Sequence, residues 1–153
     1  MPTTKTPSRR RRRSKVVVQR AVAAALSVPS ARLLRRCARA AATARSSITL
    51  RVVGAAESRR LNFRYRNADH ATNVLSFQYR ARPLAGDVVL CHAVIARQAK
   101  AQGKALAAHY AHLVVHGVLH LRGHDHQRKS DAARMERTEI RLLRRLGFTD
   151  PYA

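Results

Sequence analysis

The sequence predicts a single α+β domain, in which a small mixed sheet is packed by about five helices. The length of 153 residues suits one domain and allows a buried core without disulfide bonds. Hydrophobic residues make up 46% of the chain and recur in periodic runs, which excludes a fully disordered protein. These runs follow the order β, α, β, α, β, β, α, α, α, and the lack of strict βαβ alternation favours the α+β class.

The first half of the chain contains two strand patterns and two helix patterns. A β-branched run at residues 16–18 predicts an edge strand, and alternation at residues 48–52 predicts a half-buried strand. Ser30 follows a proline and predicts the N-cap of the first helix. Helical spacing returns at residues 57–66. The apolar face of the first helix is predicted to contain Leu34, Cys37, Ala38 and Ala41.

The second half of the chain adds two strands and three helices. Strands are predicted at residues 74–79 and 87–91, with Pro83 and Gly86 in a loop between them. The last helix is expected to begin at the N-cap Ser130 and to bury Met135, Leu142 and Leu146. The other two helices are predicted at residues 94–102 and 105–121, and a glycine follows each of the three helices.

The net charge of +23 comes from 31 Lys and Arg residues against 8 Asp and Glu residues. Residues 1–15 hold seven basic residues and no acidic residue, which predicts a disordered basic arm. Subtracting those seven charges leaves +16 on residues 16–153, the predicted folded domain. This excess favours a polyanionic partner, above all a nucleic acid, because a coding bias explains Arg in place of Lys better than it explains excess charge.

The two cysteines and the apolar runs predict the cellular setting. Cys37 and Cys91 lack the short spacing of a zinc knuckle or a redox pair, so we expect two buried free thiols in a reducing compartment. No apolar run approaches the ~20 residues of a membrane span. The expected location is therefore the cytoplasm, without membrane association, and no pattern indicates an oligomeric state.

Six of the eight histidines lie within eighteen residues, at positions 109–126. His116 and His120 are four residues apart on the longest helix, so both rings project from one face, as two ligands of one metal ion require. Gly123 allows the chain to turn, and His126 is then able to return as a third ligand. Three neutral imidazoles leave a tetrahedral position open, which is typical of a catalytic site with one Zn²⁺ per chain.

The residues around these histidines limit the chemistry. His112 lies four residues before His116, beside the predicted ligands on the same face. Asp125 is either a turn residue or a group that orients a ligand. Zinc peptidases have a general-base Glu directly after the first histidine, but this chain has Gly117 there. The absence of any carboxylate from residue 104 to 124 argues further against a peptidase.

The segment His-Gly-x-Leu-His-Leu-x-Gly-x-Asp-His at 116–126 resembles the signature of the YbeY family of bacterial endoribonucleases. Further blocks at 61–77, 86–87 and 146–152 match in order, so the resemblance covers most of residues 16–153. It implies a zinc-dependent, single-strand-specific endoribonuclease. The implied partners are rRNA and the small ribosomal subunit, in maturation of the 16S rRNA 3′ end and in ribosome quality control.

The resemblance also implies roles for individual residues. It implies that His116, His120 and His126 bind zinc and that Arg66 is functionally important, so we expect Arg66 and His116 to be catalytic. A guanidinium beside the metal would stabilise charge that develops on the phosphate. Two interpretations remain open for three polar residues, which either line the cleft or cap and pair a strand: Thr72, Asn73 and Ser76.

Two departures from the family pattern bear on substrate preference: His124 stands where a Tyr is usual, and the loop at residues 78–85 is short.

Two other functions are consistent with the same residues. One is a zinc hydrolase of peptides or esters, and the other is a basic rRNA-binding assembly factor without catalysis. A site of histidines alone also accepts nickel, cobalt or copper.

Overall fold

A computed structural model describes residues 13–124 and 128–153 of the chain. The predicted α+β class and the predicted order of elements are both confirmed. Among the described residues, none of the helices is long and apolar enough to cross a membrane. The elements are β1 (Lys15–Ala21), α1 (Ala31–Ala41), β2 (Ser47–Val53), α2 (Ala55–Arg66), β3 (Val74–Ala81), β4 (Leu84–Cys91), α3 (His92–Ala101), α4 (Leu106–Leu121) and α5 (Lys129–Arg145).

The four strands form one mixed sheet in the order β1-β2-β4-β3. Strands β1, β2 and β4 run parallel to one another, whereas β3 pairs antiparallel with β4. The prediction that β1 is an edge strand is confirmed. Parallel strands need crossover connections, and α1 connects β1 to β2 while α2 leads towards the β3–β4 hairpin.

Alternating side chains of the strands divide the core between the two faces of the sheet. On the larger face, Ile48, Leu50 and Val88 pack against the apolar sides of α1, α4 and α5. On the smaller face, Val89 lies in a cluster to which Leu61 of α2 contributes. Helices α4 and α2 therefore cover opposite faces, as the period-2 alternation of strands requires.

The residues predicted to be buried on α1 and α5 are buried in the structure. Ser30 is the N-cap of α1, since its side-chain oxygen accepts a hydrogen bond from the Leu33 amide at 3.2 Å. Cys37 and Cys91 are both buried and are not joined in a disulfide. The other predicted core residues of the helices are also buried: Leu34, Ala38, Ala41, Met135, Leu142 and Leu146.

Three predicted boundaries were wrong. Gly86 lies inside β4 and not in a loop, because its neighbours pair with both β2 and β3. Ser130 is the second residue of α5, and Arg128 is the N-cap, since its carbonyl already accepts a hydrogen bond from the Ala132 amide. Lys15 belongs to β1 and not to the basic arm, of which residues 1–12 lie outside the described residues.

Candidate metal centre

Helix α4 passes through the larger core and leaves one histidine-bearing side at least partly open. Ten of its residues are buried, including Tyr110 and Leu119, which pack into the larger core. His112, His116 and His120 are partly exposed. Because their positions differ by four, they share one side of the helix, as the sequence predicted.

Gly117 sets the distance between α4 and the sheet. A Cβ atom at this position would lie 2.7 Å from Val88 Cγ1 and 3.2 Å from Ser76 Oγ. The Ser76 hydroxyl donates to the Gly117 carbonyl at 2.8 Å and holds the helix there. A side chain at 117 would therefore point into the sheet, so a carboxylate at this position would not face the histidines.

The structure brings together two of the three predicted ligands. The Nε2 atoms of His116 and His120 lie 3.0 Å apart. Two nitrogens bound to one tetrahedral zinc at 2.0–2.1 Å are separated by about 3.3 Å. The two Nε2 atoms are joined by a hydrogen bond in this structure, and their separation is close to that of two nitrogens bound to one metal ion.

A buried carboxylate holds the other side of His116. Glu139 of α5 is fully buried, and its Oε1 lies 2.6 Å from His116 Nδ1. An ionised carboxylate only accepts hydrogen bonds, so Nδ1 of His116 carries the proton. Nε2 of His116 then carries the ring's lone pair and lies 3.0 Å from His120 Nε2. A carboxylate that holds the other ring nitrogen is the common arrangement of a metal-binding histidine.

The second oxygen of Glu139 is also occupied. Its Oε2 accepts hydrogen bonds from His112 Nε2 at 2.8 Å and from the Tyr152 hydroxyl at 2.5 Å. Burial alone would raise the pKa of Glu139, but the hydrogen bonds from His112, His116 and Tyr152 outweigh burial and lower the pKa to about 2. This carboxylate stays ionised at neutral pH and is too weak a base to take a proton from water.

The end of the chain folds back over the same carboxylate. Lys104 Nζ donates to the Pro151 carbonyl at 2.6 Å, and the Tyr152 amide donates to Asp150 Oδ1 at 2.8 Å. These bonds place the Tyr152 ring edge-on to His112. Burial, together with the ionised Glu139 that accepts its hydrogen bond, raises the pKa of the Tyr152 hydroxyl.

A second set of donor atoms lies next to the first. His112, His116 and Glu139 each offer one atom within 4.8 Å of the others, and this group could also hold a metal ion. The two sets share His116. We favour the Nε2 pair of His116 and His120, because a metal ion between the carboxylate and the rings would displace two short hydrogen bonds at 2.6 and 2.8 Å.

The remaining predicted metal-site residues, Asp125 and His126, lie outside the described residues. His124 is described; burial and the nearby charges of Arg122 and Arg134 lower its pKa. His109 is buried and bonds to Gln98 Oε1 at 2.9 Å, so it packs behind the site. The third ligand therefore remains a prediction.

A groove of about 370 Å³ runs beside His116. Asn73 lines this groove and donates to Gln98 Oε1 at 3.1 Å, while its own Oδ1 accepts from the Val74 amide. Ser76 instead joins β3 to α4. The backbone of Thr72 bonds to the Ser58 hydroxyl. Asn73 therefore both lines the groove and bonds to the first residue of β3. Whether Thr72, Asn73 and Ser76 contact a substrate remains a prediction.

Arg66 lies at the C-terminal end of α2. It is the last residue of α2 and is exposed, and α2 covers the opposite face of the sheet from α4. Among the described residues, none of the observed hydrogen bonds or ion pairs joins its guanidinium to the histidine cluster. Its functional role therefore remains a prediction.

Sequence reasoning missed Glu139 and Tyr152. A signal for Glu139 was present, since it lies four residues after Met135 and three before Leu142 on the buried stripe of α5. A carboxylate on an apolar stripe needs a buried partner. No comparable pattern marked Tyr152, because its contact depends on how the end of the chain folds back.

The fold and the site define the class of this protein: an α+β protein with a histidine-based candidate metal centre on its central helix. A family model described as Endoribonuclease YbeY matches residues 14–147. Since the match covers most of the chain, the protein belongs to this family.

Several curated relatives carry the same name, Endoribonuclease YbeY. The protein of Aromatoleum aromaticum is 51% identical over 141 residues, which are 90% of this chain and 92% of the relative. That of Nitrosospira multiformis is 48% identical, covering 91% and 82%. That of Verminephrobacter eiseniae is 51% identical, covering 87% of each.

A solved structure shares the fold at low sequence identity. The solution structure of TM1509 from Thermotoga maritima superposes with a TM-score of 0.54 at 18% identity. The match covers 89% of this chain and 97% of that one. The arrangement of helices around the mixed sheet is therefore also found in a distant protein.

Proposed function

We propose that this protein is a zinc-dependent endoribonuclease that cleaves single-stranded RNA. The observation that carries the proposal is the pair of Nε2 atoms 3.0 Å apart, backed by a buried carboxylate. Membership of the Endoribonuclease YbeY family supports RNA as the substrate. The net charge of +23 supports a polyanionic ligand independently.

In this proposal His116 and His120 hold the metal through Nε2, and His126 is the third ligand. When bound, zinc supplies Lewis-acid charge beside the scissile phosphate and lowers the pKa of water. Glu139 keeps the Nδ1 proton on His116, so the ring presents its lone pair in a constant orientation. His112 and Tyr152 in turn hold the carboxylate.

The RNA would enter along the groove beside His116. Asn73 and Gln98 present amide groups there, and Lys104 presents a positive charge to the phosphates. We further propose that Arg66 stabilises the charge of the reacting phosphate.

The biological setting is a proposal of the same kind. We propose that the substrate is rRNA, that cleavage matures the 16S rRNA 3′ end in the cytoplasm, and that the protein acts on the small subunit in ribosome quality control. The resemblance of the four sequence blocks to the family supports this setting. The strong positive charge fits an rRNA-rich surface.

Hydrolysis of peptides or esters is a weaker alternative. It needs a general base beside the metal, and a side chain at Gly117 would point into the sheet. The nearby Glu139 already accepts three hydrogen bonds and has a pKa of about 2. Neither position therefore offers the base that the zinc peptidases use.

The test combines metal analysis with RNA cleavage. We expect about one zinc per chain, and we expect the loss of both metal and cleavage in His116→Ala and His120→Ala. The matched control is His70→Ala, because His70 is an exposed histidine outside the cluster. If His116→Ala cleaves RNA at the parent rate after nuclease contamination is excluded, the proposal is wrong.

A second comparison separates catalysis from assembly. We expect Arg66→Ala to lower kcat while the protein stays folded and loaded with zinc. Arg82→Ala, which removes an exposed arginine from the connection between β3 and β4, controls for the lost charge. If chelation unfolds the protein and Arg66→Ala has no effect, the rRNA-binding assembly factor is the better description.

A further inference from the structure

Helix α5 has a second charged side, opposite the one that faces the histidines. With 100° of rotation per residue, five arginines lie within an arc of about 100° centred opposite Glu139. All five are exposed. They are Arg134, Arg137, Arg141, Arg144 and Arg145.

Helix α1 continues this charged side. Its buried face includes Leu34 and Cys37, and three exposed arginines project away from that face. Arg36 Nη2 donates to the Leu146 carbonyl at the end of α5 at 3.5 Å, so the two helices are adjacent there. We call this the α1–α5 arginine surface: Arg32, Arg36, Arg39, Arg134, Arg137, Arg141, Arg144 and Arg145.

Acidic residues do not neutralise this surface among the described residues: Asp150 is the one carboxylate that lines the same depression as Arg137, Arg141, Arg144 and Arg145. Elsewhere, Arg51 pairs with Glu57 at 2.8 Å and Arg59 with Asp69 at 2.6 Å. None of the observed ion pairs involves the α1–α5 arginine surface. Like charges this close repel one another, so a bound polyanion would lower the free energy of this surface.

The side chains of this surface favour a phosphate-bearing ligand over a membrane or a protein partner. A guanidinium matches phosphate oxygens with two parallel hydrogen bonds. The large exposed apolar side chains, such as Phe63, Tyr65 and Tyr79, lie on other elements. A membrane or a protein partner would need such apolar anchors on the arginine surface itself.

We propose that the α1–α5 arginine surface binds the phosphate backbone of RNA, outside the groove beside His116. The inference rests on the proposed function in taking RNA as the ligand. From Arg134 to Arg145 the helix rises about 16 Å, enough to contact several successive phosphates. The surface lies one helix width, about 10 Å, from the side that carries Glu139. It therefore holds RNA that flanks the cleaved segment.

This position predicts how the surface affects catalysis. Contacts far from the reacting phosphate are equally strong in the ground state and in the transition state. Their removal should raise KM and leave kcat unchanged. They should also be independent of RNA sequence and sensitive to salt.

The test compares two triple variants that lose the same charge. Arg137→Gln/Arg141→Gln/Arg144→Gln changes the arginine surface. Arg60→Gln/Arg64→Gln/Arg82→Gln changes exposed arginines on α2 and the β3–β4 connection, away from α1 and α5. Binding of a short labelled oligouridylate is titrated at several salt concentrations, in a His116→Ala background that prevents cleavage.

We expect the first triple variant to bind roughly tenfold to a hundredfold more weakly at moderate salt. Its slope of log affinity against log salt should fall by about 2, since each lost contact on a single strand contributes about 0.7. With His116 restored, KM should rise while kcat stays at the parent value. Circular dichroism verifies that each variant is folded, and zinc content is compared in the variants that retain His116.

Three outcomes would overturn the proposal. The first triple variant could bind like the parent, both triple variants could weaken equally, or kcat could fall with KM unchanged. If the protein binds RNA through this surface but cleaves none, the surface proposal stands and the proposed endoribonuclease activity is wrong. If the first triple variant cleaves RNA with the parental KM, the activity stands and the surface proposal is wrong.

Discussion

The substitution Glu139→Gln tests whether the buried carboxylate controls metal binding. Glu139 is fully buried and accepts three hydrogen bonds, from His116 at 2.6 Å, His112 at 2.8 Å and Tyr152 at 2.5 Å. Glutamine has nearly the same shape but replaces one accepting oxygen by a donating NH₂ group. In either orientation, at least one histidine proton or the tyrosine hydroxyl then faces another donor.

The size of the effect follows from the number of bonds lost. A hydrogen bond to a charged group contributes about 1.5–3 kcal/mol, and one or two such bonds are lost. We expect the free energy of unfolding of the metal-free protein to fall by about 2–4 kcal/mol. Zinc affinity should fall roughly tenfold to a hundredfold, because the carboxylate no longer holds the His116 ring and its Nδ1 proton.

Two measurements are needed, and a matched control is available on the same helix. Zinc affinity is measured by competition with a chromophoric chelator, and stability by urea unfolding. Glu136→Gln removes an exposed carboxylate from α5 and should change neither value appreciably. If folded Glu139→Gln protein binds zinc as tightly as the parent, our account of the carboxylate is wrong.

Three further predictions concern the ligand set, the packing and the response to pH. His120→Ala should weaken zinc binding far more than His112→Ala, and the reverse order in chelator competition would favour the alternative set. Gly86→Ala should lower the free energy of unfolding by about 1–3 kcal/mol, because its Cβ would lie 2.5 Å from the Phe77 carbonyl oxygen; unchanged urea unfolding would contradict this. Burial lowers the pKa of His109 from 6.5 to about 4. The unfolded chain therefore binds the extra proton first, and stability should fall by up to about 3 kcal/mol as pH drops from 6.5 towards 4. His109→Gln should remove that part of the pH dependence, and equal acid sensitivity in both proteins would refute the assignment.

The local features of the fold were predictable because short-range backbone geometry produces them. Periods of 2 and 3.6 residues indicate strands and helices without knowledge of their partners. The alternation in β2 and the face of α1 around Leu34 and Cys37 are of this kind. The prediction of a loop at Gly86 was wrong because glycine near proline is typical of a loop. The close approach of Gly86 to Phe77 arises only when β3 and β4 pair.

In the candidate site too, features set by local geometry were predictable from the sequence, and features set by distant contacts were not. The sequence alone determined the class of the fold, the excess of positive charge and the pairing of His116 with His120, because a helix places residues four apart on one side. Only the tertiary structure decided that Glu139, 23 residues from His116, holds its Nδ1 proton. The packing of α5 on α4 and the return of Tyr152 depend on contacts between distant segments. Such contacts have no period along the chain, so only the assembled core brings these groups together.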